Sequence, residues 1–344
     1  MSTPLDRGFF APADWAVNGR CWMAWPAREA LWGEGLEAAQ DDVVELATAI
    51  AEHEPVTVIA GPENLAEASL RFGAGISCVP MALDDCWLRD AGPIFLSNGA
   101  GALAGLDGGF TGWGGRVMPH EQDSALAAAW LAEHEIERFA AGLALEGGAV
   151  CLDGEGTVLA SEASLLDPKR NPEPDTQAIE QALKAALGAE KVIWLTGRLE
   201  GDPTGGRVDN LACFARPGVV LTQVTDEQDD ANHPVLAENL ERLRAASDAK
   251  GRQLEVVEIE QPRAQVREDG GRLALSYVSL YLAKGAVLVP SYEKVGDEKA
   301  FDIIDQAFPE HEAIQVPILG LAAQGAGIRA VTLGQPAPPE EGDD

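Results

Sequence analysis

The sequence predicts a compact α/β protein, and three observations support that prediction. Short β-branched runs, which indicate strands, alternate along the chain with segments of 3.6-residue apolar periodicity, which indicate helices. Hydrophobic residues make up 46% of the 344 residues, an ordinary fraction for a globular protein. No Gly-rich dinucleotide-binding loop is present, which argues against a Rossmann protein. A chain of this length forms one large domain or two small ones.

The predicted elements follow one another through the whole chain. Strands are predicted at residues 55–60, 76–81, 192–195, 254–259 and 286–290. A helix is predicted at residues 63–71, and apolar stripes predict three more, at residues 43–50, 179–187 and 236–243. Gly188 follows the 179–187 stripe at the position of a C-cap glycine. We expect all three stripes to pack into the core.

Two hairpins and one loop complete this map. Residues 150–160 are expected to fold back around a Gly-rich turn, and residues 211–222 around a Pro-Gly turn. The polar stretch 225–233 predicts a surface loop. Since no low-complexity linker or change of composition divides the chain, we predict a single domain over residues 1–338 and a solvated acidic tail over residues 339–344.

The charge balance narrows the choice of partners. The net charge is −31, from 56 acidic and 25 basic residues, so nucleic acid and anionic membrane surfaces would be repelled. No apolar stretch reaches the roughly 18 residues of a membrane span, and the first residues do not resemble a secretory signal. We therefore expect a cytoplasmic protein whose partner is a small-molecule ligand.

The cysteines predict neither a disulfide framework nor a metal site. Their number is odd and none is spaced Cys-x-x-Cys. The five are Cys21, Cys78, Cys86, Cys151 and Cys213. We expect buried thiols in a reducing compartment, and we predict no metal and no cofactor.

Polar residues concentrate in four Gly-punctuated segments, which are the candidate sources of chemistry. They occupy residues 84–93, 106–115, 145–148 and 202–210. The first contains three carboxylates and one arginine before a Gly-Pro turn. Each segment taken alone is typical of a turn.

Taken in order, these segments resemble the agmatine deiminase family, which is related to the Porphyromonas-type peptidylarginine deiminases. That family contains W-x-R-D-x-G-P, D-x-x-F-x-x-W-G-G, L-E-G-G and G-H-x-D-N, and further matches extend from residue 10 to residue 336. The resemblance implies the pentein fold, a five-fold pseudosymmetric α/β propeller of ββαβ-type units. It also implies a tendency to self-associate, so a homodimer is possible.

The family reaction hydrolyses a guanidinium group to a ureido group and ammonia. A Cys thiolate attacks the guanidinium carbon and a His transfers the protons. The resemblance assigns Asp90 and Asp209 to the carboxylates that hold the guanidinium, and Glu146 to the acid that orients the His. Further candidates for substrate binding lie in the first two segments: Asp85, Trp87, Arg89, Asp107 and Trp113.

The chain departs from the family pattern at several positions. The motif His corresponds to Arg207, and the terminal His and Cys correspond to Arg329 and Ala330. Gly108 stands in place of a Trp, and Cys151 in place of another His. Arginine stays protonated at physiological pH and alanine carries no nucleophile, so the family mechanism loses its base and its attacking group. One experimental substitution would not change several positions, which favours natural divergence.

Three hypotheses follow. In the first, the protein is a non-catalytic homologue that acts by binding. Its own arginines close the pocket, and Arg207 and Arg329 form ion pairs with Asp90, Asp209 or Glu146.

In the second hypothesis, the protein is an enzyme with changed chemistry. The two arginines would bind a carboxylate or phosphate rather than a guanidine. Asp85, Asp90, Glu146 or Asp209 would serve as acid or base, or as oxygen ligands for a divalent cation, and Cys86 or Cys151 could be a displaced nucleophile. In the third, the protein is an active agmatine or peptidylarginine deiminase in which Ala330 is an engineered replacement.

Overall fold

The structure, a computed structural model, describes residues 2–16, 18–267 and 270–337. The strands are β1 (Phe9–Phe10), β2 (Asn18–Ala24), β3 (Val56–Ala60), β4 (Ile76–Pro80), β5 (Ile94–Asn98), β6 (Leu103–Asp107), β7 (Glu137–Ala140), β8 (Val150–Leu152), β9 (Thr157–Ser161), β10 (Lys191–Leu195), β11 (Ala212–Arg216), β12 (Val219–Val224), β13 (Glu255–Glu260), β14 (Tyr281–Ala283), β15 (Ala286–Ser291), β16 (Glu312–Pro317) and β17 (Thr332–Pro336).

The helices vary from single turns to four turns in length. They are α1 (Glu29–Trp32), α2 (Leu36–Ala51), α3 (Leu65–Arg71), α4 (Leu88–Ala91), α5 (Gly112–Gly115), α6 (Glu121–Glu133), α7 (Glu162–Leu165), α8 (Thr176–Leu187), α9 (His233–Ala245), α10 (Lys294–Ala307), α11 (Leu319–Ala322) and α12 (Ile328–Val331). Short 3-10 turns occupy Leu5–Arg7, Gly33–Gly35, Gly147–Ala149 and Val208–Asn210.

Within the described residues the strands form five sheets that share one pattern. In each sheet an antiparallel pair is followed, after a helix, by a third strand parallel to the second. The triplets are β5-β6-β7, β8-β9-β10, β11-β12-β13, β14-β15-β16 and β17-β2-β3. Helices α6, α8, α9, α10 and α2 make the crossovers. These are the ββαβ-type units that the family resemblance implies.

The two ends of the chain meet in one of these units. β17, the last strand, pairs antiparallel with β2, near the N-terminus, with Thr332 opposite Met23. This pairing brings a C-terminal helical turn, α12, next to residues from the first quarter of the chain. Among the described residues, no helix has the length and apolar character needed to cross a membrane.

Most elements predicted from the sequence are confirmed. The expected strands correspond to β3, β4, β10, β13 and β15, and the two hairpins are β8–β9 and β11–β12. Gly188 caps α8 with a left-handed conformation, φ 72°, as predicted. The 236–243 stripe departs from the prediction at one position. Leu240 is only half-buried, and the neighbouring Asn239 is buried instead and hydrogen-bonds to the backbone of Thr196. The predicted tail, residues 339–344, lies outside the described residues.

A short helical turn precedes the first strand in several units. α4 precedes β5, Gly147–Ala149 precedes β8, Val208–Asn210 precedes β11, and α12 precedes β17. These turns pack against one another: α4 contacts α12 and Gly147–Ala149, which in turn contacts Val208–Asn210. Four segments that are far apart in sequence therefore meet at one place in the fold.

Candidate functional site

The meeting point of the four turns is a buried cluster of charged groups. Asp90 lies in α4 and Arg329 lies in α12. Arg207 immediately precedes the turn Val208–Asn210, and Asp209 lies within it. All four are at most 4% exposed. Buried charges are costly unless they pair, so the arrangement of partners determines what this site can do.

Arg207 is the centre of the cluster. Its Nε and Nη2 atoms donate to the two carboxylate oxygens of Asp209, at 2.8 and 2.9 Å, and its Nη1 donates to Asp90 Oδ2. Burial opposes the charge of Arg207, but the attraction of Asp209 and Asp90 outweighs it and raises the pKa of the guanidinium. Burial likewise opposes the charge of Asp209, and Arg207 overcomes it to lower the pKa of that carboxyl. A bidentate guanidinium–carboxylate pair therefore fills the site.

Asp90 is held from two further directions. Its Oδ1 accepts from the backbone N–H of Gly148 at 2.7 Å, and its Oδ2 accepts from the Trp113 indole N–H at 2.9 Å. A Cβ atom at Gly148 would lie 2.3 Å from Arg207 Nη2. The absence of a side chain at Gly148 thus lets the guanidinium of Arg207 lie against this turn.

Arg329 joins the cluster from the opposite end of the chain. Its Nε and Nη2 donate to Asp14 Oδ2 at 3.2 and 3.1 Å, and its Nη1 donates to Asp209 Oδ2 at 3.4 Å. The carbonyl oxygens of Gly147 and Val150 accept from its remaining N–H groups. The structure therefore gives Arg207 and Arg329 carboxylate partners, as the first hypothesis required.

Glu146, the third of the alternative partners named for Arg207 and Arg329, binds neither of them. Its Oε2 accepts from Nε of Arg170 at 2.7 Å, and its Oε1 accepts from the Thr111 hydroxyl at 2.9 Å and the Trp113 backbone N–H at 3.1 Å. Burial raises the pKa of Glu146, and Arg170 opposes that rise. Arg170 is itself buried, so the charge of Glu146 is neutralised without Arg207 or Arg329.

Trp113 links the two acids of the site. It adopts a left-handed conformation, φ 55° and ψ 44°, which is uncommon for a bulky residue. From there its backbone N–H reaches Glu146 and its indole N–H reaches Asp90. The left-handed backbone thus lets one residue bind both carboxylates, Glu146 through its backbone and Asp90 through its side chain.

Trp87 and Asp85 lie further from the cluster. The ring centroids of Trp32 and Trp87 are 5.6 Å apart, and those of Trp87 and Trp113 are 5.2 Å apart, so three indoles form a row. Asp85 sits at its far end, bound to Trp32 Nε1 at 3.0 Å and to Arg28 Nε at 3.1 Å. Its carboxylate is therefore used in a separate pair, and the indole row separates it from Asp90.

The structure places Asp107 outside the cluster. Asp107 ends β6 and binds Arg138, whose side chain is half exposed, with Nη2 to Oδ2 at 2.7 Å. Next to it, a Cβ atom at Gly108 would lie 1.9 Å from the carbonyl oxygen of Leu145. This backbone approach leaves no room for the tryptophan that the family pattern has at position 108.

Ala330 contributes only a methyl group. It lies in α12 beside Arg329 and is 1% exposed. Burial raises the pKa of Cys151 to about 12 and that of Cys86 well above its usual range. Cys151 donates from Sγ to Asp14 Oδ2 at 3.5 Å, which also favours the protonated thiol.

We predict that these thiols are unreactive in the folded protein. With a pKa of about 12, roughly one Cys151 in ten thousand is a thiolate at pH 8, and burial blocks access as well. Iodoacetamide labelling at pH 8, read by peptide mass spectrometry, should leave Cys86 and Cys151 unmodified. Unfolded protein, the control, should be labelled at all five cysteines. Rapid labelling of native Cys151 would instead indicate a displaced nucleophile.

Two residues of the site were not selected as site residues from the sequence. Asp14 pairs with Arg329, and Arg170 pairs with Glu146. Both lie in segments that match the family pattern, near residues 10–15 and 170–172. The order of these segments along the chain supported the family resemblance, but no local sequence pattern indicated that the side chains of Asp14 and Arg170 would reach the cluster.

Comparisons with known proteins give a consistent result. The sequence model of the Porphyromonas-type peptidyl-arginine deiminase family matches residues 10–336. Agmatine deiminase of Pseudomonas fluorescens is 38% identical over 363 residues and that of Ectopseudomonas mendocina 37% identical over 360, each alignment covering 98% of both chains. The solved structure of Enterococcus faecalis agmatine deiminase superposes with a TM-score of 0.94 at 31% identity, covering 98% of each chain.

Proposed function

This chain belongs to the Porphyromonas-type peptidyl-arginine deiminase family, and we propose that it is a non-catalytic member whose guanidinium site is filled by its own Arg207. The mixed α/β fold is the pentein fold of that family. One observation carries the proposal: Asp90 and Asp209, the acids assigned to substrate binding by resemblance, both bind the Arg207 guanidinium.

The geometry of Arg207 is that of a bound guanidine ligand. Two parallel hydrogen bonds to Asp209 and a third to Asp90 use three of its nitrogen atoms. An external guanidine would have to displace a group that is covalently part of the chain and therefore always present at the site. Agmatine would compete poorly for these carboxylates.

The groups around Arg207 do not supply the family chemistry. Ala330, at the position assigned to the nucleophile, has no reactive atom, and Arg207 stays protonated in place of the general base. Glu146, assigned to orient that base, is bound to Arg170 instead. The protein would therefore act by binding a partner rather than by converting a substrate.

The alternative of an enzyme with changed chemistry has less support at this cluster. The guanidinium nitrogens of Arg207 and Arg329 are all bound to Asp90, Asp209, Asp14 or backbone carbonyls. An anionic substrate would have to break these pairs before it could bind. A strong acceleration of any hydrolytic reaction would favour this alternative over the one proposed.

We expect purified protein to form no N-carbamoylputrescine from agmatine and no citrulline from arginine peptides. Chromatography with mass detection of the ureido product is the measurement, and agmatine deiminase of Pseudomonas fluorescens is the positive control for the agmatine reaction. We also expect no thermal shift with millimolar agmatine, because the site is already occupied. Product formation above the uncatalysed rate would contradict the proposal.

A further inference from the structure

A second feature of the fold is a cavity that has Arg329 in its wall. The first strand of every unit contributes to its wall, so it lies where the five sheets converge. Its volume is about 60 Å³, enough for about four water-sized particles. Most of the wall is apolar and includes Ile94, Phe95, Val150, Leu152, Phe214 and Leu333.

Arg89, one of the charged residues in the described part of this cavity's wall, has incomplete hydrogen bonds. Its Nε donates to the backbone oxygen of Arg329 at 3.3 Å. Its Nη atoms make no hydrogen bond to any residue in the described ranges, and Asp14, the carboxylate paired with it, stays 3.8 Å from Nη1. Yet the Arg89 side chain is only 13% exposed. Several N–H donors of a buried cation therefore face an apolar cavity.

The charges around Arg89 also leave its guanidinium without a carboxylate of its own. Asp14 also lines the cavity, but Arg329 already binds both of its oxygens. Burial and the neighbouring Arg329 charge both disfavour the charged form of Arg89. An anion in the cavity would supply the hydrogen-bond acceptors that the protein does not.

We propose that this cavity is a binding site for a small carboxylate, held by the Nη donors of Arg89. A planar guanidinium presents two parallel N–H groups that match the two oxygens of a carboxylate. The volume limits the ligand to formate, acetate or a carboxylate of similar size. The site adjoins the buried cluster through Arg329, which lines the cavity, but it is distinct from the place that Arg207 occupies. Arg207 is not among the described residues that line the cavity, and its donors bind Asp90 and Asp209.

The test is binding of ¹³C-formate to the whole chain, measured by the broadening of its NMR line. Formate and acetate should bind, while the larger anion benzoate should not displace them. Arg89→Met should weaken formate binding about tenfold or more, as expected when charge-assisted hydrogen bonds are lost. Arg138→Met, which removes a half-exposed arginine bound to Asp107, is the matched control and should bind formate like the wild type.

Asp14→Asn tests the same site, but here the affinity for formate should rise rather than fall. This variant keeps the proposal testable even if Arg89→Met does not fold. Removing this negative charge from the cavity wall should tighten formate binding. The proposal is overturned if the wild-type protein does not broaden the formate line, if Arg89→Met binds formate unchanged, or if Asp14→Asn weakens binding.

Discussion

Replacement of Arg207 by glycine is expected to lower the free energy of unfolding by about 3–5 kcal/mol, the usual effect of removing one partner of a buried ion pair. The substitution leaves Asp90 and Asp209 buried with one positive partner fewer. It also opens a cavity shaped by a guanidinium group. Urea denaturation of both proteins would measure the difference.

The same variant should then be rescued by free guanidines. Millimolar methylguanidine or agmatine can enter the space that Arg207 leaves, and binding to the folded state raises the melting temperature by mass action. Methylammonium, which lacks the planar donor pair, should have a smaller effect. The variant should still form no ureido product, because Ala330 supplies no nucleophile.

Arg242→Gly is a matched control for this experiment. Arg242 pairs with Glu162 and Glu238 near the surface, and its side chain is 33% exposed. Its loss should change stability by at most about 1 kcal/mol, apart from the cost of glycine in a helix, and guanidines should not restore it. A rescue of equal size in both variants would mean that guanidines act on the surface, and the occupied-site proposal would fail.

Asp209→Asn is the second substitution with a large expected effect. Asp209 accepts two hydrogen bonds from Arg207 and one from Arg329, so the variant weakens the neutralisation of two buried cations. We expect a loss of about 3–5 kcal/mol at pH 7, again measured by urea denaturation. Asparagine keeps the shape, so the loss reports the charge rather than the packing.

The pH dependence provides an internal check on this substitution. The pKa of Asp209 is lower in the folded protein than in the unfolded chain, so folding favours its charged form. Its contribution is therefore fully present above the unfolded pKa of about 3.9 and is lost as the pH falls through the folded value. The stability difference between wild type and Asp209→Asn should shrink in acid. A difference that stayed constant down to pH 2 would argue against the ion pair.

A double-mutant cycle separates this pair from its surroundings. Arg207→Met combined with Asp209→Asn removes one positive and one negative charge together. The double variant should be more stable than the sum of the single losses predicts, by at least about 1 kcal/mol. Strict additivity would show that Arg207 and Asp209 do not interact.

Local patterns in the sequence were sufficient for much of the fold. The alternation of β-branched runs and amphipathic stripes located strands such as β3 and β15 and the helix α8, because burial of one face imposes a period on the sequence. Gly188 was identifiable as a cap because few other residues adopt a left-handed conformation readily. The number of units and the pairing of β17 with β2 came from family resemblance and the structure, since no local pattern encodes a long-range strand pairing.

The sequence by itself determined which side chains this protein has at the site: arginine at 207 and 329, the acids at 90, 146 and 209, and the uncharged alanine at 330. Only the tertiary structure decided how they pair. Arg207 pairs with Asp90 and Asp209. Glu146 pairs with Arg170 and therefore not with Arg207 or Arg329. The physical reason is that ion-pair energy depends on separations of a few ångströms. Those separations are set by short turns that lie up to 240 residues apart and meet only when the chain is folded.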